Sequence, residues 1–150
     1  AGAAVPEHAM QFELAAPAAR VWALLADFGA IARWWPADAP APIVRVELDG
    51  HGVGMVRRIH NAGMPAPVLE RLDLCDAEDR RLVLSIVGDR PLDLSGYVAE
   101  GRVVPLDAAR CRLDYRAVFT VDPARTDSVR RALGRTWELM ARGLEAAARG

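Results

Sequence analysis

The sequence contains no lysine. All 19 of its basic residues are arginine, so no lysine Schiff base can form. Cysteine is nearly as scarce. Cys75 and Cys111 fall in separate strand-like segments without CxxC or Cys/His spacing, which argues against a zinc site and a disulfide framework alike. Both read as small packing residues. No apolar run approaches the roughly 18 residues of a spanning helix. The opening AGAAVPEHAM lacks the basic start and apolar stretch of a secretion signal, so no membrane span and a soluble, cytoplasmic protein are expected. An excess of one charge is also missing. With 19 basic against 20 acidic residues the formal charge is −1, and no basic cluster is interleaved with aromatics, so nucleic acid is not an expected partner. His8, His51 and His60 fall at the N-terminal edge, in a Gly-flanked turn and on a strand, so no catalytic triad or metal cluster converges. Neither metal nor cofactor is expected.

What is present is a chain of 150 residues, 52% hydrophobic, long enough to build one ordinary core without staples. A single domain over 1–150 is the expectation. Residues 8–14 alternate and end at Ala16-Pro17, where proline can open a helix, so a first strand is followed by a helix over 17–26. Phe28 to Trp35 reads as a second short helix stopped by Pro36, and Pro36 to Pro42 as a loop. From Pro42 to Val121 the period switches to two, with six apolar-polar runs separated by Gly-, Pro- or Asp-rich breaks. The stretch from about Thr126 to Ala148 has no proline and repeats Val129, Leu133, Thr136/Trp137, Met140, Leu144 and Ala147 at helical spacing. The predicted fold is α+β: a seven-stranded curved antiparallel sheet gripping a long C-terminal helix, with two short helices between strands 1 and 2. The terminal helix is the only element long enough to cover one face of such a sheet.

Several short motifs are spaced along this frame. They are Asp27-Phe28 before Trp34-Trp35-Pro36, Val53-Gly54 with Arg57, Gly63-Met64-Pro65-Ala66, Glu70-Arg71-Leu72-Asp73, and Ser85-Ile86-Val87-Gly88 followed by Tyr97. In these the chain resembles the START/Bet v 1-like (SRPBCC) superfamily, in particular its bacterial polyketide cyclase/dehydrase-like members and the plant abscisic-acid receptors. The resemblance implies a small-molecule cavity between sheet and helix. It also implies that Arg57 and Glu70 belong to a polar network under the ligand, with Tyr97 nearby, and that Asn61 to Pro67 is like the receptors' gate loop. The chain is shorter than those receptors between Gly54 and Glu70, and its Gly88–Ser95 turn lacks their latch histidine. Hormone-gated closure onto a phosphatase is not carried over.

Strand parity locates the cavity side independently of that resemblance. In CRLDYRAVFTV the inward set is Leu113, Tyr115, Ala117, Phe119 and Val121, because the alternate residues are mostly charged or polar. In PVLERLDL the inward set is Val68, Glu70, Leu72 and Leu74, since Arg71 and Asp73 occupy the other face. A hairpin turning at Gly63-Met64 sets Met55 opposite Leu72, Arg57 opposite Glu70 and Ile59 opposite Val68. A lone buried carboxylate is costly, but opposite Arg57 it can stay ionised. The pair reads equally as a structural ion pair fixing register or as a polar anchor on a cavity floor. The other expected ligand contacts are Trp35 at the mouth, Met64 and Pro65 in the turn, and Leu84, Ile86 and Leu94 from the later strands. Tyr115 and Ala117 come from the last strand, Ala132 and Thr136 from the terminal helix.

Three functions fit. The first is binding of a small apolar molecule bearing a carboxylate or carbonyl. The second is a cofactor-independent cyclase or dehydratase in which Arg57 polarises a carbonyl, Glu70 moves a proton and Tyr97 stabilises an enolate oxygen. The third is a non-catalytic stress or interaction module with a filled cavity. A cation beside a carboxylate favours its charged form, so the pairing favours anchoring over proton abstraction unless substrate displaces it. A homodimer is left open.

Overall fold

Burial alternates residue by residue along the first strand, β1 (Glu7–Leu14), with His8, Met10, Phe12 and Leu14 turned from solvent. In the computed structural model this strand lies beside the last one, and the described residues are 5–88 and 91–150. The Ala-rich start, 1–4, and Asp89-Arg90 of the expected Gly88–Ser95 turn lie outside them.

Pro17 caps α1 (Ala18–Ala26), its carbonyl accepting from Val21 N at 3.2 Å, and a 3-10 helix follows at Phe28–Arg33. These are the two short helices expected between the first two strands. The chain then meanders through β2 (Ile43–Asp49), β3 (Val56–Asn61), β4 (Val68–Asp76), β5 (Arg81–Val87), β6 (Gly96–Pro105) and β7 (Cys111–Thr120), and ends in α2 (Thr126–Arg149). All pairings are antiparallel, in the order β1-β7-β6-β5-β4-β3-β2. The helix-grip fold is thus as the periodicity predicts. Val129, Leu133, Trp137, Met140 and Leu144 form the buried stripe of α2, facing the inner side of the sheet.

Two glycines set the closest approaches. A Cβ at Gly143 would stand 2.1 Å from the Trp34 carbonyl oxygen, so α2 crosses the end of the 3-10 helix at backbone contact. A Cβ at Gly101 on β6 would meet the Tyr115 ring at 3.1 Å, so this gap in the pleat receives the ring of its cross-strand partner.

The register departs from strict alternation in β4. Between Leu72 and Leu74 it steps by one, so Leu74 sits opposite Val83 and Cys75 opposite Leu82. Leu82 and Leu84 are buried on the inner face, so Leu74 belongs to the outer face and not, as expected, to the inner set. The bulge is held by Asp73, whose carboxylate accepts from the Ser85 hydroxyl and from Arg71 Nε. Cys75, expected to be a packing residue, is exposed near this strand end; Cys111 is buried.

Candidate functional site

Between the inner face of the sheet and α2 lies a cavity of about 470 Å³, lined mainly by carbon. Its floor is built by β3 and β4. Their register pairs Arg57 with Glu70 and Ile59 with Val68, as the turn at Gly63-Met64 predicts. Arg57 is 6% exposed, and its Nε and Nη2 both lie 2.8 Å from Glu70 Oε1. The third arm, Nη1, donates to the Phe28 carbonyl at 3.0 Å, and the guanidinium carbon stands 3.9 Å from the Phe28 ring centroid. The cation is therefore satisfied on two sides and stacked on a third. Glu70 differs: both short contacts fall on Oε1, and Oε2 accepts no hydrogen bond from any described residue.

Tyr97 on β6 and Tyr115 on β7 also line the cavity. Burial pushes the Tyr97 hydroxyl well above the usual phenol range, electrostatic repulsion from Tyr115 and Glu70 adds to it, and the neighbouring Trp137 opposes it. Tyr115 is raised by burial and then by Glu70, against the pull of Arg57. Both are thus neutral phenols at physiological pH, able to donate and accept. Trp137 packs edge-on against Tyr115, with ring centroids 4.8 Å apart, and His8 lies 5.1 Å beyond it. Burial, then Arg130, lowers the His8 pKa. This ring stack closes one wall.

The rim is drawn from several elements. Met64 and Leu92, each 39% exposed, line the cavity from the β3–β4 and β5–β6 connections. Arg135 and Thr136 line it from the exposed side of α2, where the Thr136 hydroxyl donates to the Ala132 carbonyl at 3.0 Å. Trp35 is half-buried in the wall beside buried Trp34.

Of the residues singled out from the sequence, Trp35, Arg57, Ile59, Met64, Val68, Glu70, Leu84, Ile86, Leu94, Tyr97, Tyr115, Ala132 and Thr136 all line this cavity. Pro65 and Ala117 do not. Pro65 is exposed on the turn, and Ala117 is buried between His8 on β1 and Ala99 on β6. His60 turns outward and pairs with Glu47 at 2.5 Å. Among the described residues no cluster of metal-ligating side chains occurs, and no helix is long and apolar enough to cross a membrane.

Sequence reasoning did not single out Phe28, Leu82 or Arg135 as site residues. Phe28 stood in the Asp27-Phe28 motif, but its use of both ring and carbonyl against Arg57 is a tertiary contact with no local signature.

The sequence matches the family model described as polyketide cyclase / dehydrase and lipid transport over residues 7–149. The chain belongs to this family. A Thermobifida fusca protein solved by NMR shares 33% identity at a TM-score of 0.77, covering 95% of this chain and 90% of its own. The Zhui aromatase/cyclase of Streptomyces sp. R1128 shares 24% identity at a TM-score of 0.76, covering 97% of this chain and 94% of its own. A point mutant of Thalictrum flavum norcoclaurine synthase, in complex with a transition-state analogue, shares 19% at a TM-score of 0.76, covering 99% and 96%. The two enzymes demonstrate the common fold. No curated protein matches the sequence. As a member of the polyketide cyclase/dehydrase and lipid transport family, the chain fits the START/Bet v 1-like superfamily, while its likeness to the hormone receptors rests on the sequence motifs alone.

Proposed function

We propose that this protein binds a small, largely apolar, oxygen-bearing organic molecule, polyketide-, lipid- or hormone-like, between its sheet and α2. The observation that carries the reading is a carbon-lined cavity of about 470 Å³ with one charged pair on its floor. That volume falls within the roughly 300–1,000 Å³ of small-molecule sites, and the mixture of apolar walls with a few convergent polar groups is what such sites need. Family membership supports the same reading. A cavity of this size also removes the support that a tightly filled interior would have lent to a purely interacting module.

Binding is tested by NMR titration of the isotope-labelled protein with 2-naphthol. Shifts concentrated on Ile59, Leu84, Tyr115 and Trp137 are expected. Unchanged resonances up to the solubility limit would overturn the reading.

A second reading is a cyclase- or dehydratase-type enzyme that works without metal or cofactor. It is favoured by Glu70 Oε2, an unbonded carboxylate oxygen beside two neutral phenols. Glu70 would take a proton, Arg57 and Tyr97 would hold the developing enolate oxygen, and the carbon-lined walls would strengthen both interactions. Glu70→Gln distinguishes the readings once a turned-over substrate is found. It should abolish turnover while sparing binding, and undiminished turnover would remove Glu70 as the base.

A further inference from the structure

The floor pair is asymmetric in its unused valences, and this bears on which polar group the ligand carries. Three of the five N–H groups of Arg57 are engaged, through Nε and Nη2 on Glu70 Oε1 and through Nη1 on the Phe28 carbonyl, and its face rests on the Phe28 ring. The pair is neutral as a unit. An incoming carboxylate meets no uncompensated cation here and faces Glu70 Oε2, a like charge among largely apolar walls. Oε2 accepts no hydrogen bond from the described residues, the two phenols included. The neighbouring phenols supply both donors and acceptors without net charge. At the other end, Arg135 lines the rim, is exposed, and has no ion-pair partner among the described residues.

We propose that the ligand enters hydroxyl first: a neutral phenol, enol or alcohol donates to Glu70 Oε2 at the floor, and any anionic group of the same molecule stays at the rim beside Arg135. The ligand class is thus a hydroxylated, fused or extended apolar skeleton, with its carboxylate, if it has one, distal to the hydroxyl. This rests on the proposed binding function and reverses the orientation that the resemblance to the hormone receptors implies, where the carboxylate sits over the corresponding pair.

The test compares naphthalenes of nearly equal shape by NMR titration of the intact chain. 2-Naphthol should bind about tenfold more tightly than 2-methoxynaphthalene, which keeps the oxygen and loses the donor, because a hydrogen bond to an ionised acceptor is about twice as strong as a neutral one. In Glu70→Gln the preference should vanish, since the side-chain carbonyl stays with Arg57 and an amide N–H₂ replaces Oε2, a donor that either oxygen can accept from. 6-Hydroxy-2-naphthoate should gain a few-fold over 2-naphthol in the wild type and nothing in Arg135→Ala. Equal affinities of 2-naphthol and 2-methoxynaphthalene in the wild type would overturn the floor assignment while leaving the binding function intact. That comparison needs no variant, so it stands even if Glu70→Gln fails to fold. An Arg135→Ala protein that keeps the gain from the carboxylate would overturn the rim assignment. Absence of binding by every naphthalene would overturn the binding function itself.

Discussion

Arg57 uses Phe28 twice, donating to its carbonyl at 3.0 Å and resting its guanidinium 3.9 Å from the ring centroid. One residue of the 3-10 helix thereby fixes a cation that belongs to the sheet, and Glu70 completes the enclosure. Removing Glu70 leaves that cation buried without its counter-charge. Glu70→Ala should cost about 3 kcal/mol in urea unfolding, the scale for breaking one partner of a buried pair. The double variant Arg57→Met/Glu70→Leu should recover most of it. A double variant as unstable as Glu70→Ala would show that the loss lies elsewhere.

The crossing of α2 over Trp34 leaves no room for a methyl group. With a Cβ placed 2.1 Å from a backbone oxygen, Gly143→Ala must displace helix or chain, and a loss of about 2–3 kcal/mol is expected. For a chain of 150 residues this is a fall in Tm of about 5–10 °C by calorimetry. An unchanged Tm would refute the contact.

The bulge at Asp73 separates two leucines that strict alternation treats alike. Leu72→Ala, in the core, should lose about 2–5 kcal/mol, and Leu74→Ala, on the outer face, less than about 1 kcal/mol. Equal losses would restore the unbulged register.

Both tyrosines of the chain hold their protons more tightly when folded, chiefly through burial. Unfolded tyrosine ionises near pH 10. Above that pH the unfolded chain sheds protons that the folded one keeps, so stability is full below about pH 10 and is lost as pH rises toward the folded values. Absorbance at 295 nm should show phenolate appearing together with unfolding. Phenolate appearing in a folded protein near pH 10 would contradict the buried placement.

Tyr115→Phe keeps the edge-on contact with Trp137 and the nook at Gly101 but deletes the hydroxyl. Stability should change by no more than about 1 kcal/mol, while affinity for 2-naphthol falls several-fold. The two effects are separated by running unfolding and titration on the same preparation.

The sheet, its register and the floor pair were legible because they follow from a period of two and one turn. Once Gly63-Met64 is taken as the hairpin, Arg57 must meet Glu70. The bulge was not legible, because the side-chain bonds of Asp73 to Ser85 and Arg71 interrupt the period without changing the composition. Ala117 shows a second limit. Parity turns it inward correctly, but whether an inward residue reaches the hollow also depends on the length of its side chain: on the same strand the Tyr115 ring extends past Gly101 to line the cavity, whereas the Ala117 methyl, between His8 and Ala99, does not. Arg135 escaped for the opposite reason: a charged residue on an amphipathic helix reads as its solvent face, although here that face borders the cavity mouth.

The backbone contact at Gly143 also has a mechanical meaning. A rod touching its support with no side chain between them acts there as a fulcrum, and any tilt of α2 grows with distance from that point toward its N-terminal end. Ala132, Arg135 and Thr136 lie on that longer arm. A small rotation about Gly143 would therefore widen or narrow the mouth while leaving the contact with Trp34 in place.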